Sequence, residues 1–433
     1  MVDGQITAGP ASGALLSKRQ IAAVVAGNAL EFYDFLIFSF FALPIGKAFF
    51  PSSRPEISLL AALATFGAGF LTRPLGGIVI GLLANRAGRK PAMLVSFALM
   101  GLSIVGLACT PSFAMIGIVA PILAVGWRLL QGFALGGEVG ATTALLVEGA
   151  PIHRRGLFGS MQIATQQAAI ATVGLVGFGL SSHLGVAAMD DWGWRAALLA
   201  GAIVVPIGLI IRRALPETLH VAERIAPPKA GAGVKRLVIL TFIILASSTV
   251  GTYVLNTLAT YAVSTLKMDP KVAFAATLVR GAFGLTFALI GGALSDRIGR
   301  RGPMIVTTLI AGVVVVPLLM LVVATRSPAA LLLTAAVLGA VVAIGGTPAL
   351  TVAIEALPAR VRAGTAGTVY AFAISVFGGS TPFVVTWLTQ TTHDPLMPGW
   401  YLAGAALIGL IALLFLPETA PRVALTELNA KTK

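Results

Sequence analysis

The feature that most constrains this chain is a series of apolar runs, each long enough to cross a lipid bilayer. They lie near residues 20–45, 57–84, 91–110, 115–148, 155–182, 194–213, 236–266, 271–295, 303–325, 329–355, 363–390 and 398–416. A hydrocarbon core about 30 Å thick needs about 20 apolar residues of helix. That layer offers no water to a bare amide, so each run must satisfy its own backbone as a helix. The chain is 57% hydrophobic and 11% charged, with a mean hydropathy of +0.94. A soluble domain carries about 25% charged residues. The expected fold is therefore an all-α membrane protein with twelve transmembrane helices.

The sixth and seventh runs are separated by the only long polar stretch, Arg212–Arg236. It divides the chain into an N-terminal tail (1–19), a six-helix bundle (20–213), a linker (214–235), a second six-helix bundle (236–418) and a C-terminal tail (419–433). Lys and Arg set the orientation. If both termini are cytoplasmic, 21 of the 30 fall in inner loops and tails, six in outer loops, and three in the membrane: Arg73, Arg128 and Arg280. That is the positive-inside bias of a multi-pass inner-membrane protein. It accounts for the net charge of +14 without a nucleic-acid partner. Cys109 is the single cysteine, so no internal disulfide is expected. Residues 1–17 carry no apolar core of a signal peptide.

The two halves repeat each other. GGIVIGLLANRAGRKP (76–91) returns as GGALSDRIGRRGP (291–303), EGAPIHRRG (148–156) as EALPARVRAG (355–364), and LPET occurs at 215–218 and 416–419. Repeats related by an axis along the membrane normal build one transporter architecture, with its substrate site near midplane between the halves. On these motifs, and on the Glu148–Arg155 and Glu355–Arg362 spacings, the chain resembles the major facilitator superfamily. GNALEFYDF (27–35), GAGFLTRPLGG (67–77), RLLQGFALGGEVG (128–140) and DWGWR (191–195) are similar to its metabolite:proton symporters. QQAAI (166–170) and FGGSTP (377–382) are similar to the citrate and tricarballylate members. The resemblance implies two pseudo-symmetric six-helix bundles and proton-coupled alternating access.

Charge at bilayer depth costs about 2.5–3.5 kcal/mol per residue on insertion scales, so buried ions point to function. In Trp127–Gly140, Arg128, Gln131 and Glu138 share a helical face, while Gly132, Gly136, Gly137 and Gly140 allow a second helix to approach. In the first run Asn28, Glu31 and Asp34 recur every three residues, with Tyr33 beside them, as one polar stripe lining a cavity or pairing with the arginines. The resemblance implies that Asp34 and Arg128 form a proton-controlled pair. An anionic substrate then takes over the arginine, and the released carboxylate takes a proton. Asp34 is the preferred carrier and Glu138 the second, with Glu31 and Gln131 orienting them. Gln162, Gln166 and Gln167 offer amide donors and acceptors to a hydroxylated carboxylate, or bond neighbouring helices.

Arg280 has no acid near it in its own half until Asp296 at the helix end. It presents a planar fork suited to a carboxylate, or pairs across the cavity with Glu31 or Glu138. Arg73 precedes Pro74 and reads as structural. Tyr253, Asn256 and Tyr370 are further lining candidates. In family terms Asn85, Arg86, Arg89, Glu148, Arg155, Asp296, Arg300, Glu355 and Arg362 form a cytoplasmic gate. Asn85 replaces the expected aspartate, which weakens one side of that latch.

His153, His183, His220 and His393 are scattered through loops and the linker, so no metal is implied. No cofactor is expected beyond a proton gradient. An enzyme is not expected, since a buried nucleophile or acid–base histidine is missing. The expected activity is uptake of a small carboxylate, citrate-like, by a monomer. A betaine importer, a drug exporter and a non-transporting sensor are the alternatives.

Overall fold

The computed structural model describes residues 18–87, 89–136, 146–147, 150–202, 232–355 and 362–420. Every apolar run with described residues is helical. The helices are α1 (Lys18–Phe40, continued by Ala42–Phe49), α2 (Pro55–Leu71 and Arg73–Ala87), α3 (Arg89–Cys109) and α4 (Val119–Leu135). They continue with α5 (Arg155–His183), α6 (Trp194–Ala202), α7 (Ala232–Asn256 and Leu258–Ser264) and α8 (Pro270–Ile298). The last four are α9 (Arg301–Thr325), α10 (Pro328–Glu355), α11 (Arg362–Ala373 and Gly379–Thr392, joined by the π turn Ile374–Gly378) and α12 (Met397–Leu414). Among the described residues, eight helices pass a length and hydropathy test for a membrane span, and the α1 pair, bent by 64°, makes a ninth. Large apolar side chains such as Ile78, Val313 and Ile408 are exposed on the outside. A lipid-facing surface has that composition, because oil outside removes any need to hide them.

Two breaks fall where side chains carry chemistry. α7 is interrupted at Thr257, whose hydroxyl donates to the Val254 carbonyl at 2.7 Å. The π turn of α11 places Gly378 against Tyr253: a Cβ there would lie 2.9 Å from the tyrosine ring. Insertions of this kind turn the backbone locally and recur at functional sites.

The halves meet along α5 and α8, which pack together over most of their length. Small residues make this possible. A Cβ on Gly281 would stand 2.3 Å from the Ala171 backbone nitrogen, so nothing larger than hydrogen fits. In a membrane, helix association rests on such van der Waals contact rather than on a hydrophobic drive. The same device joins α2 and α4 in the first half: a Cβ on Gly132 would lie 1.5 Å from the Gly69 carbonyl oxygen. Further contacts across the halves join α2 to α11 and α1 to α7; Phe41 of α1 meets Phe274 of α8 with ring centroids 4.9 Å apart.

The predicted Glu138 and Glu148 lie outside the described residues, as do the two tails and most of the linker. The side chains of Asn85, Arg89 and Arg362 are also outside them.

Replacing Gly281 by leucine overpacks the α5–α8 seam, at a cost of about 1–3 kcal/mol or more. The expected outcome is a lower melting temperature of the purified protein and lost transport. A Gly281→Leu variant that melts with wild type would mean that this seam is open in the membrane.

Candidate substrate site

A narrow cavity of about 50 Å³ lies between the halves, lined from α1, α5, α7, α10 and α11. Its polar wall is Gln166, Ser248, Thr249, Thr252, Tyr253, Asn256 and Tyr370, facing Phe32, Leu36 and Ile170. Four of the predicted lining residues are therefore brought together: Gln166, Tyr253, Asn256 and Tyr370. The volume is room for about one or two waters, not a substrate.

Arg280 stands directly behind this wall. Its side chain is 1% exposed and donates to Asn256 Oδ1 at 2.6 Å and to the Thr252 carbonyl at 3.4 Å. Its Nε has no acceptor, and no carboxylate forms an ion pair with it among the described residues. A buried guanidinium answered only by neutral acceptors leaves several kcal/mol of desolvation uncompensated.

Arg128 is fully buried and donates to Gln131 Oε1 and, at 3.5 Å, to the Phe35 carbonyl. Its guanidinium lies 4.6, 4.7 and 5.1 Å from the ring centres of Phe35, Phe38 and Phe66. Gln131 in turn donates to the Asp34 backbone carbonyl at 3.2 Å.

The polar stripe of the first helix does not act as one face. Asn28 is spent on α5: it accepts from Gln162 at 2.8 Å and donates to the Thr165 hydroxyl. Both are interhelical bonds that join α1 to α5. Glu31 lies within electrostatic range of Arg73 on α2. Asp34 points at α6, where a Cβ on Gly201 would sit 2.4 Å from its Oδ1. Tyr33 donates to the Ala197 carbonyl of α6 at 3.2 Å and is not among the cavity-lining residues.

The expected Asp34–Arg128 ion pair is not formed in this arrangement. Gln131 occupies the arginine, and the room left by Gly201 receives the carboxylate, both of whose oxygens are buried without a hydrogen-bond partner among the described residues. The reason is geometric: three residues advance a helix by about 300°, so a spacing of three drifts by about 60° per step. Gln167 packs against Gly284 of α8, its Oε1 without a partner.

A second polar cluster lies at the end of the bundle that carries the loop motifs. Arg300 is 1% exposed and pairs with Asp296 at 2.8 Å and, through two nitrogens, with Glu355 at 3.1 and 3.2 Å. Burial opposes its charge, but hydrogen bonds to and charges on Glu355 and Asp296 outweigh that and hold its pKa above the ordinary arginine value. Asp296 also reaches the other half, accepting from the Gly156 and Leu157 amides at 2.7 and 2.9 Å. A carboxylate on the unsatisfied amides of a helix start is favourable by both hydrogen bonding and dipole. The side chain of the neighbouring Arg301 turns away from these acids and donates to the Leu413 and Leu414 carbonyls.

The second LPET motif proves to be part of the same knot, a role the sequence reading did not assign. Glu418 accepts from the Arg300 and Arg301 amides at 2.8 and 3.1 Å. Its neighbour Thr419 donates to Glu355 at 3.3 Å. Arg86 is exposed, and Arg155 has a buried Nε without an acceptor, so neither closes an ion pair among the described residues.

A helical membrane protein with a polar cavity between two packed halves, latched at one end by charge, is a transporter by architecture. The model of the Major Facilitator Superfamily matches residues 24–382 and 240–431, and the chain belongs to that superfamily. A citrate-proton symporter of Klebsiella pneumoniae is 36% identical over 92% of this chain and 91% of its own length. The alpha-ketoglutarate permease of Escherichia coli is 33% identical, over 96% and 98%. A glycine betaine/proline/ectoine/pipecolic acid transporter of Dickeya dadantii is 30% identical, over 93% and 84%. Among solved structures, the xylose transporter XylE of E. coli in a partially occluded inward-open conformation aligns with a TM-score of 0.74. It covers 93% of this chain and 98% of that one, at 18% identity. The fold is thus the twelve-helix major facilitator fold of two six-helix bundles.

Removing Arg300 strands two buried carboxylates, a loss of about 3–5 kcal/mol. Arg300→Ala is expected to melt well below wild type, and the double variant Arg300→Ala, Glu355→Gln closer to it. Equal melting of all three would mean that the cluster is solvated in the membrane.

Proposed function

We propose that this protein is a proton-coupled symporter that imports a small carboxylate across an inner membrane, with both termini cytoplasmic. The observation that carries the reading is Arg280: a buried guanidinium at the wall of the cavity, held by an amide and a carbonyl, with no acid paired to it among the described residues. An incoming carboxylate supplies the charge-assisted, two-pronged partner that Asn256 cannot. Gln166, Tyr253, Asn256 and Tyr370 then hydrogen-bond the rest of the solute. Citrate and alpha-ketoglutarate carriers among its relatives support a carboxylate, and a citrate-like di- or tricarboxylate is the specific proposal.

The proton step runs through Asp34. Among the described residues no cation pairs with it in this arrangement, and we assign that arrangement to the proton-loaded half of the cycle. Opening of the cavity lets Arg128 leave Gln131 for Asp34, which expels the proton; substrate returning to the arginine reverses this. No cofactor enters the cycle beyond the proton gradient. The cluster of Asp296, Arg300, Glu355 and Glu418 holds the cytoplasmic end shut between transport steps.

The betaine carrier among its relatives supports a second reading, uptake of a zwitterion whose carboxylate meets Arg280. Its cationic head needs an aromatic cage, for which the cavity offers Tyr253 and Tyr370. Thermal shift of purified protein with citrate, alpha-ketoglutarate, glycine betaine and proline separates the two, since only a bound ligand raises the midpoint.

Two variants test the mechanism in proteoliposomes. Asp34→Asn should abolish accumulation driven by a proton gradient and retain exchange of internal for external substrate; loss of both in proportion removes Asp34 as carrier. Arg280→Gln should weaken substrate affinity about tenfold or more, the worth of a charged hydrogen bond. Unchanged affinity makes that arginine structural.

A further inference from the structure

The cycle just described leaves one buried cation without a task. Arg73 opens the second segment of α2, is 7% exposed, and stacks 4.2 Å from the ring centre of Phe35 and 4.3 Å from that of Phe70. Arg128 lies 4.6 Å from the same Phe35 ring. One phenyl group therefore touches two guanidiniums. Aromatic faces attract cations but accept no conventional hydrogen bond. Arg73 Nε, Arg128 Nε and Arg128 Nη2 are all buried without an acceptor among the described residues.

Structural arginines in this protein are treated differently. Arg300 is surrounded by carboxylates, and Arg195 donates to the Ala108 and Thr110 carbonyls at 2.6 Å each. Around Arg73 and Arg128, by contrast, the one carboxylate in electrostatic range among the described residues is Glu31, near Arg73; Arg128 lies in range of Arg73 and Tyr253. Asp34 is directed at Gly201 instead. Among the described residues, two guanidiniums sharing one acid leave one positive charge over in the first half of the molecule. Arg280 leaves another in the second.

Tyr253 connects the two places. It lines the cavity, packs edge-on to Phe70 at 5.7 Å, and lies in range of both Arg73 and Arg128. Tyr370, also on the cavity wall, lies in range of Arg73. On α7, Thr252 and Asn256 flank Tyr253 and hold Arg280. The cavity thus has an under-neutralised cation behind each of two walls, one from each half.

We propose that Arg73, with Arg128, forms a second carboxylate subsite in the first half, reached past Tyr253. The preferred ligand then carries at least two carboxylates and bridges Arg73–Arg128 to Arg280–Asn256. This rests on the carboxylate reading above. It assigns Arg73 a binding role and makes polycarboxylate selectivity a product of both halves closing on one molecule.

The test is ligand affinity of purified wild type, Arg73→Gln, Arg73→Lys and Arg280→Gln for butyrate, succinate and citrate. Comparing ligands within one variant removes any effect of a reduced folded fraction. Wild type should bind succinate or citrate at least about tenfold more tightly than butyrate, the worth of one charged contact. Arg73→Gln should reduce succinate and citrate to the butyrate level and leave butyrate unchanged, and Arg73→Lys should fall between. Arg280→Gln should weaken all three. A preference that survives intact in Arg73→Gln overturns the second subsite and leaves Arg280 as the carboxylate site. Equal weakening of all three ligands in Arg73→Gln also overturns it, since that is the mark of a structural arginine. Wild type binding none of the three sinks the carboxylate reading itself, and this inference with it.

Discussion

A guanidinium in oil must be answered by something, and how each one is answered organises this molecule. At the end bearing the loop motifs, Arg300 has two carboxylates and a serine hydroxyl around it. In that cluster the guanidinium is fully paired, held between two carboxylates, and it ties helices together. Near the cavity the answer is partial. Arg280 has an amide and a carbonyl, while Arg128 has an amide, a weak carbonyl and three phenyl rings. On the function proposed, the difference is that between a strut and a binding group. Fully paired ions resist exchange, whereas cations held by neutral groups gain most from an anion that arrives with its own charge.

The seam between the halves complements this arrangement. α5 and α8 approach closely because glycines face backbone, as at Gly281 and Ala171. Elsewhere along the seam glycines receive side chains, Gln167 at Gly284 and Phe274 at Gly177, so it is close-packed by both kinds of contact. Among the described residues a charged contact between the halves is seen at one end: Asp296, anchored by Arg300, accepts the first amides of α5. Hydrogen bonds from a carboxylate to a helix start can break and reform without leaving large apolar surface exposed, which suits a contact meant to open. Glu418 and Thr419 tie the end of α12 into the same knot, so the last helix is coupled to the latch.

Much of this was legible from residue order alone. Run length and hydropathy located each helix with described residues, because the bilayer leaves the backbone no alternative. The buried arginines and the motif-end acids were likewise visible, since charge in an apolar run is rare enough to stand out. Direction around the helix was the part that did not follow. Asn28, Glu31 and Asp34 read as one stripe, yet one faces α5, one ranges toward Arg73 on α2 and one faces α6. A spacing of three falls short of a full turn, and the neighbours available at each azimuth decide the partner. Glu418 was missed for a related reason: a repeated LPET shows duplication but not that its second copy meets the amides of another helix.

The separation of Asp34 from Arg128 bears on how coupling works. Had the two been joined here, proton and substrate would compete for a single pair fixed in place. Instead Gln131 bridges them through Arg128 on one side and the Asp34 backbone on the other. The carboxylate can thus change partners by a side-chain rotation while its backbone stays registered to α4. Gly201 leaves room for that carboxylate, since a Cβ there would stand 2.4 Å from its Oδ1. In the proposed cycle coupling depends on a three-way choice for Arg128: amide, acid or incoming anion. An amide of intermediate strength is what lets the other two take turns, because a stronger fixed partner would hold the arginine out of the cycle altogether.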